Sequence, residues 1–225
     1  DKDGKGTTLY DATELEVHAL APAPDGGLYA ATSPDGRIYR IDAAGAAKPF
    51  FKPDEKYIWS LAVDPSGRVY AGTGGKGVIY RIAADGNGAA FYNTRSANVV
   101  ALTFDAAGNL LAGTESPGRI FRINREGKAF VLLESAFREI HSIRVGGDGV
   151  IYAVAVAAKG GGASDERPPE TAAPEPVRPV VTAAVSAEIT GFSVIDVGAG
   201  AADQKPTAAR TGPRGSRGAV YRIQP

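Results

Sequence analysis

The fold class this sequence predicts is all-β: a β-propeller of four 41-residue, four-stranded blade repeats, read as an excerpt of a larger propeller. Three observations predict it. Tyr39-Arg40-Ile41 returns as Tyr80-Arg81-Ile82 and as Phe121-Arg122-Ile123, 41 residues on each time. Leu28-Tyr29-Ala30-Ala31-Thr32 returns in step as Val69-Tyr70-Ala71-Gly72-Thr73 and Leu110-Leu111-Ala112-Gly113-Thr114. Glycines stand in columns between these runs, and no run carries a helical period, so almost no helix is expected.

Each repeat reads as four short strands. The first is Val17-His18-Ala19-Leu20, matched by Ile58-Trp59-Ser60-Leu61, Val99-Val100-Ala101-Leu102 and Ile140-His141-Ser142-Ile143. The second is the Leu28 run, with Ile151-Tyr152-Ala153-Val154 as its fourth copy, and the third is the Tyr-Arg-Ile run. The fourth centres on Leu9, Phe50, Phe91 and Leu132. Gly26, Gly67, Gly108 and Gly149 fill one turn column, and Gly4, Gly45, Gly86 and Gly127 another. Tight hairpin turns need φ > 0, which glycine adopts without steric cost. Asp precedes Gly at Asp25, Asp35, Asp85 and Asp148, a further hairpin cue.

One four-stranded sheet cannot bury both faces alone. The Tyr29, Tyr70, Leu111, Tyr152 column and the Tyr39, Tyr80, Phe121 column are expected to be buried by stacking blade on blade. Arg40, Arg81 and Arg122 recur in every copy, which gives them a role in the repeat, pairing with a neighbour or a carbonyl, before any role in one site.

The period breaks after Val154. The third strand of the last repeat arrives only at Val220-Tyr221-Arg222-Ile223, so 59 extra residues intervene. The chain therefore divides into blade repeats over 1–155, a Pro/Gly/Ala-rich insertion over 156–217 and a final third strand over 218–225. Most of the insertion is too poor in apolar residues to offset its ordering entropy and is expected to be flexible. Its Val180–Thr182 and Ile189–Val197 stretches are β-rich and suit an added edge strand.

Asp1 falls in the column of Asp42. Either the segment around Leu9 completes the last blade and closes a four-bladed ring, or two copies assemble into a larger ring, or further repeats flank the chain. The expectation adopted is the excerpt.

Composition excludes several classes. Lys+Arg and Asp+Glu are equal at 25 each, which leaves no net field to draw in nucleic acid or an anionic membrane, and neither partner is expected. No apolar run approaches the roughly 20 residues of a membrane span. Zero Cys excludes disulfides and thiolate chemistry. Neither a cofactor nor a bound metal is expected, and the expected location is periplasmic or secreted.

The Asp-Gly-x-Leu-Tyr-Ala-x-Thr … Gly-x-Ile-Tyr-Arg-Ile pattern resembles the bacterial propeller superfamily of NHL, YVTN and WD40-like repeats, which includes virginiamycin B lyase and gluconolactonase-like enzymes. The resemblance covers 1–155 and 218–225; the Gly-His and Trp-Asp pairs of true WD40 repeats are missing. It implies fold, and fold alone does not imply function.

Propellers of this kind usually bind on the face holding the connectors from fourth to first strands. Here these are 11–16, 52–57, 93–98 and 134–139, together with the insertion. One column there reads Glu16, Tyr57, Asn98, Glu139; two residues on, another reads His18, Trp59, Val100, His141. Alternate strand residues share a face. Glu16 with His18, and Glu139 with His141, can then each present a carboxylate and an imidazole, suited to general-base chemistry or to Zn, Mn or Fe. Against this stands the plainer reading that both histidines fill strand positions between blades.

Gly72-Thr73-Gly74-Gly75-Lys76-Gly77 fits G-x-G-x-x-G but joins two strands and opens no helix, so it is not a nucleotide loop. The leading expectation is a non-catalytic scaffold whose loop face takes a protein, peptide or glycan, through Tyr57, Trp59, Asn98, Glu16, His18, Glu139 and His141. The alternatives are a metal-assisted lyase or hydrolase using the two Glu–His pairs, and a homo-oligomer joined through open blade edges.

Overall fold

A computed structural model describes residues 4, 6, 8–157, 193–195 and 217–225; for 193–195 only the backbone is described. Most of the insertion, and with it the expectation of flexibility, lies outside these residues. Every regular element among them is a strand. β1(Glu16–Pro22), β2(Leu28–Ser33), β3(Arg37–Ile41) and β4(Ala47–Phe51) form one antiparallel sheet in that order. β5(Ile58–Val63), β6(Val69–Thr73), β7(Val78–Ile82) and β8(Gly88–Asn93) repeat it, as do β9(Asn98–Phe104), β10(Leu110–Glu115), β11(Arg119–Ile123) and β12(Ala129–Glu134). The fourth blade uses β13(Glu139–Val145), β14(Ile151–Val156) and β16(Gly218–Ile223), with β15(Ser193–Ile195) on its edge.

The hairpins form where the sequence offers a four-residue corner with glycine last. Gly45, Gly67, Gly86, Gly108 and Gly127 each donate their N–H to the carbonyl three residues back. Asp64 reinforces its corner by accepting from the amides of Ser66 and Arg68, both near 3 Å. Asp42 and Asp105 do the same from three residues before their glycines, while Asp25, Asp85 and Asp148, each directly before a glycine, accept from the amides of Gly27, Asn87 and Val150. Thr32 and Thr73 close the next hairpin, each hydroxyl donating to a backbone carbonyl five residues on.

The core is a series of blade–blade interfaces. Tyr29, Ala31 and Ile38 of blade 1 meet Ile58, Leu61 and Val69 of blade 2. Tyr70 and Ile79 meet Val99 and Leu110 of blade 3, and Leu111 and Ile120 meet Ile140, Ile143 and Ile151 of blade 4. Such burial contributes about 1.5–3 kcal/mol per large aliphatic side chain. The recurring arginines serve the repeat: Arg40 pairs with Asp25 and Arg122 with Asp105 at 3.1 Å, each within its own blade, while Arg81 donates to the Arg125 carbonyl of the next blade at 3.1 Å.

One expectation changes and another is met. Residues around Leu9 form no strand in this structure, so they do not complete the last blade. The outer position there is held by β15, which pairs antiparallel with β16 through Ile195 opposite Val220. The β-rich end of the insertion thus supplies an edge strand.

Candidate functional site

Six of the seven candidate residues stand at the start of the innermost strands β1, β5, β9 and β13, and Tyr57 directly precedes β5, all along one end of the arc. Those strands neighbour one another in sequence of blades. A common irregularity aims their side chains. The register of each inner strand against its partner skips one residue: His18 in β1, Trp59 in β5, Val100 in β9 and His141 in β13. A β-bulge adds an unpaired residue and redirects its side chain. The plain alternation expected for Glu16 with His18 and Glu139 with His141 is therefore broken at the second residue of each pair.

The pairs nonetheless meet. His141 Nδ1 lies 2.8 Å from Glu139 Oε1 in hydrogen-bonding geometry. His18 Nε2 lies 2.8 Å from Glu16 Oε2, off the line of a hydrogen bond. The structure does not bring the two pairs together, because β5 and β9 stand between them. Among the described residues no three His, Cys, Asp or Glu side chains converge on a metal-sized site.

Between the pairs lies an aromatic stack. Tyr57 stacks on Trp59 with centroids 5.5 Å apart and planes 7° apart, while His18 tilts against the indole at 4.5 Å. The Trp59 Nε1 is buried and has no hydrogen-bond partner among the described residues. Gly74 makes room for it: a Cβ there would fall 2.4 Å from Nε1.

Asn98 continues the row. Its Oδ1 accepts from the Gly75 amide at 3.2 Å and its Nδ2 donates to Glu115 Oε2 at 2.6 Å. Glu115 stands opposite Glu139 in the register of β10 and β13 and carries Arg138 at 3.6 Å. Gly74, Glu115 and Arg138 were missed by sequence reasoning. Gly74 and Glu115 share one repeat column at the end of the second strand, so the signal was present but needed the strand register to be placed beside the site.

A cleft also opens away from this row. A space of about 360 Å³ opens between blades 2 and 3 at the β5–β6 and β9–β10 corners, bordered by Asp64, Arg68, Phe91, Asp105 and Arg125. Burial raises the Asp64 pKa, but hydrogen bonds from Ser66 and Arg68 outweigh it and hold the carboxyl below its ordinary range.

The sequence matches no protein-family model and no curated protein. Solved structures do match. Virginiamycin B lyase from Staphylococcus aureus is similar at 18% identity and TM-score 0.58, over 64% of this chain and 51% of that one. A streptogramin B lyase gives 18% identity and TM-score 0.56, over 63% and 49%. A chain of a nidogen/laminin complex gives 15% identity and TM-score 0.57, over 62% and 57%. The chain thus spans about half the length of these structures. With two enzymes and a protein complex among them, what is shared is the β-propeller repeat fold, and that is the fold of this chain.

Proposed function

We propose that the chain is a binding scaffold without chemistry of its own, taking a protein, peptide or glycan ligand along the inner-strand row from His18 through Trp59 and Asn98 to His141. The observation that carries this reading is the bulged column, which places Trp59 in a stack with the exposed Tyr57 and with His18. Tyr and Trp supply large contact area at low entropy cost and dominate binding hot spots. The test uses Trp59 itself, the single tryptophan of the sequence. Glycan and peptide arrays identify a binder, whose titration should change Trp59 emission; Trp59→Ala should weaken it at least about tenfold, or 1.4 kcal/mol. Undiminished binding by Trp59→Ala and Tyr57→Ala variants rules the row out.

A second reading, lyase or hydrolase chemistry at a Glu–His pair, is favoured by one observation. Glu139 orients the His141 ring at 2.8 Å, the arrangement that fixes an imidazole as a general base. Metal analysis of protein purified without chelator tests the metal-assisted form. A metal-free sample whose melting is unmoved by added Mn or Zn removes it.

A further inference from the structure

The cleft between blades 2 and 3 holds a set of side chains that the other junctions do not repeat. Its wall is aromatic: Tyr70 meets Phe91 and Phe104 edge-on, each with centroids 5.4 Å apart. Between blades 1 and 2, Tyr29 meets Phe50 at 4.8 Å, but Val63 stands in the column of Phe104. Between blades 3 and 4 the same three columns read Leu111, Leu132 and Val145.

Charge departs from the repeat at the same place. Arg40 has Asp25 and Arg122 has Asp105, but neither arrangement is open to Arg81. Ser66 occupies the column of Asp25, and Asp64, the counterpart of Asp105, is taken by Arg68 at 2.7 Å. Arg81 instead donates to a carbonyl and lies over the Phe91 ring, 4.7 Å from its centroid. Arg125 adds an exposed guanidinium at the rim, beside Gly108; Ala84 and Pro225 hold its column in blades 2 and 4. Among the described residues neither Arg81 nor Arg125 forms an ion pair.

A residue present in every copy serves the stack of blades. Phe104, Ser66 and Arg125 depart from the repeat together, at one junction, and stacking alone does not call for them. The space they border is about 360 Å³, and a second hollow of about 320 Å³, bordered by Arg81, shares Arg68 and Phe91 with it. Small-molecule sites run from about 300 to 1,000 Å³ and join an apolar lining to a few placed polar groups.

We propose that this cleft binds a small aromatic carboxylate, its ring against Phe91 and Phe104 and its carboxylate between Arg81 and Arg125. A planar guanidinium matches a carboxylate with two parallel hydrogen bonds. An inorganic anion would leave the rings unused, and a neutral arene would leave both charges unanswered. Asp64 and Asp105 also border the cleft, so a singly charged group suits it better than a dianionic phosphate. The site is separate from the Trp59 row: Ile58 and Asp64 lie six strand steps apart, about 20 Å.

The test titrates 2-naphthoate into the isotope-labelled 225-residue chain and follows amide shifts by NMR. Shifts should concentrate at the 64–68 and 105–109 corners and leave the Trp59 amide unmoved. 2-Naphthamide, the same rings without the charge, and acetate, the charge without the rings, should each bind at least about tenfold more weakly. Arg125→Ala and Phe104→Val put in place what the preceding repeat carries at Ala84 and Val63, so the blade is kept. Each should weaken 2-naphthoate about tenfold with unchanged circular dichroism. No binding at millimolar 2-naphthoate, shifts centred on Trp59, equal affinity for either control compound, or undiminished binding by either folded variant overturns the proposal.

Discussion

Trp59 and His18 are the same residue of two successive repeats, 41 positions apart, and they stack on each other with ring centroids 4.5 Å apart. Both are the bulged residues of their inner strands, so one backbone irregularity repeated from blade to blade builds a contact between blades. An aromatic pair of this kind contributes about 0.5–1.5 kcal/mol beyond its buried area. His18→Ala should therefore lower unfolding stability by that amount and shift Trp59 emission to the red, since one face of the indole then meets water. Urea unfolding followed by both circular dichroism and fluorescence checks this. Unshifted emission in the variant would show that the ring contact does not form in solution.

Two glycines separate local strain from contact between blades. Gly67 at φ +82 has nothing within 4 Å of a Cβ placed on it, whereas Gly86 at φ +87 has the Phe50 carbonyl oxygen at 2.7 Å. Left-handed backbone costs an L-residue about 1–2 kcal/mol. Gly67→Ala should cost that much; Gly86→Ala should cost more, because blade 1 must also move off blade 2. Equal denaturation midpoints for the two variants would show that the close approach carries no stability.

The 41-residue period made the strands, the columns and the stacking of blades legible, because each depends on spacing along the chain. The aim of the site was less so. Alternation puts Glu16 and His18 on one face, but the inserted bulge residue resets the alternation, and a bulge leaves no mark in residue identity. Glu115 and Arg138 join the row through pairing of β10 with β9 and β13, which is a register rather than a pattern. Leu9 shows the opposite failure. Its column matches a fourth strand, yet a fourth strand needs the edge of a third, and among the described residues none is presented to it.

Asp64 should mark the acid limb of stability. Its folded pKa is lowered, so its contribution is present above the unfolded carboxyl value near 3.9 and is lost as pH falls through the folded one. Asp64→Ala removes the acceptor for two amides and the partner of Arg68 at 2.7 Å, which should cost about 1–3 kcal/mol at neutral pH. Denaturation midpoints across the acid range should then fall less steeply in the variant than in the parent. Parallel curves would place the acid sensitivity elsewhere.

Tyr80 contributes to the alkaline limb, as does Tyr39, whose phenol burial also raises. Burial, with its hydrogen bond to Glu55, pushes the Tyr80 phenol up to about 12 from 10. For a group whose folded pKa is raised, the stabilisation is complete below the unfolded value and is lost as pH rises through the folded one. Stability should hold up to about pH 10 and decline from there toward 12. Tyr80→Phe keeps the ring against Phe51, 5.6 Å between centroids, and removes only the hydroxyl. At pH 7 that should cost about 1 kcal/mol for the lost hydrogen bond. Between pH 10 and 12 the variant's stability should be flatter than the parent's, since it has no phenol at this position to ionise. Denaturant midpoints at pH 7, 10 and 11.5 measure both effects, and an equally steep alkaline loss in Tyr80→Phe would assign that loss to other groups.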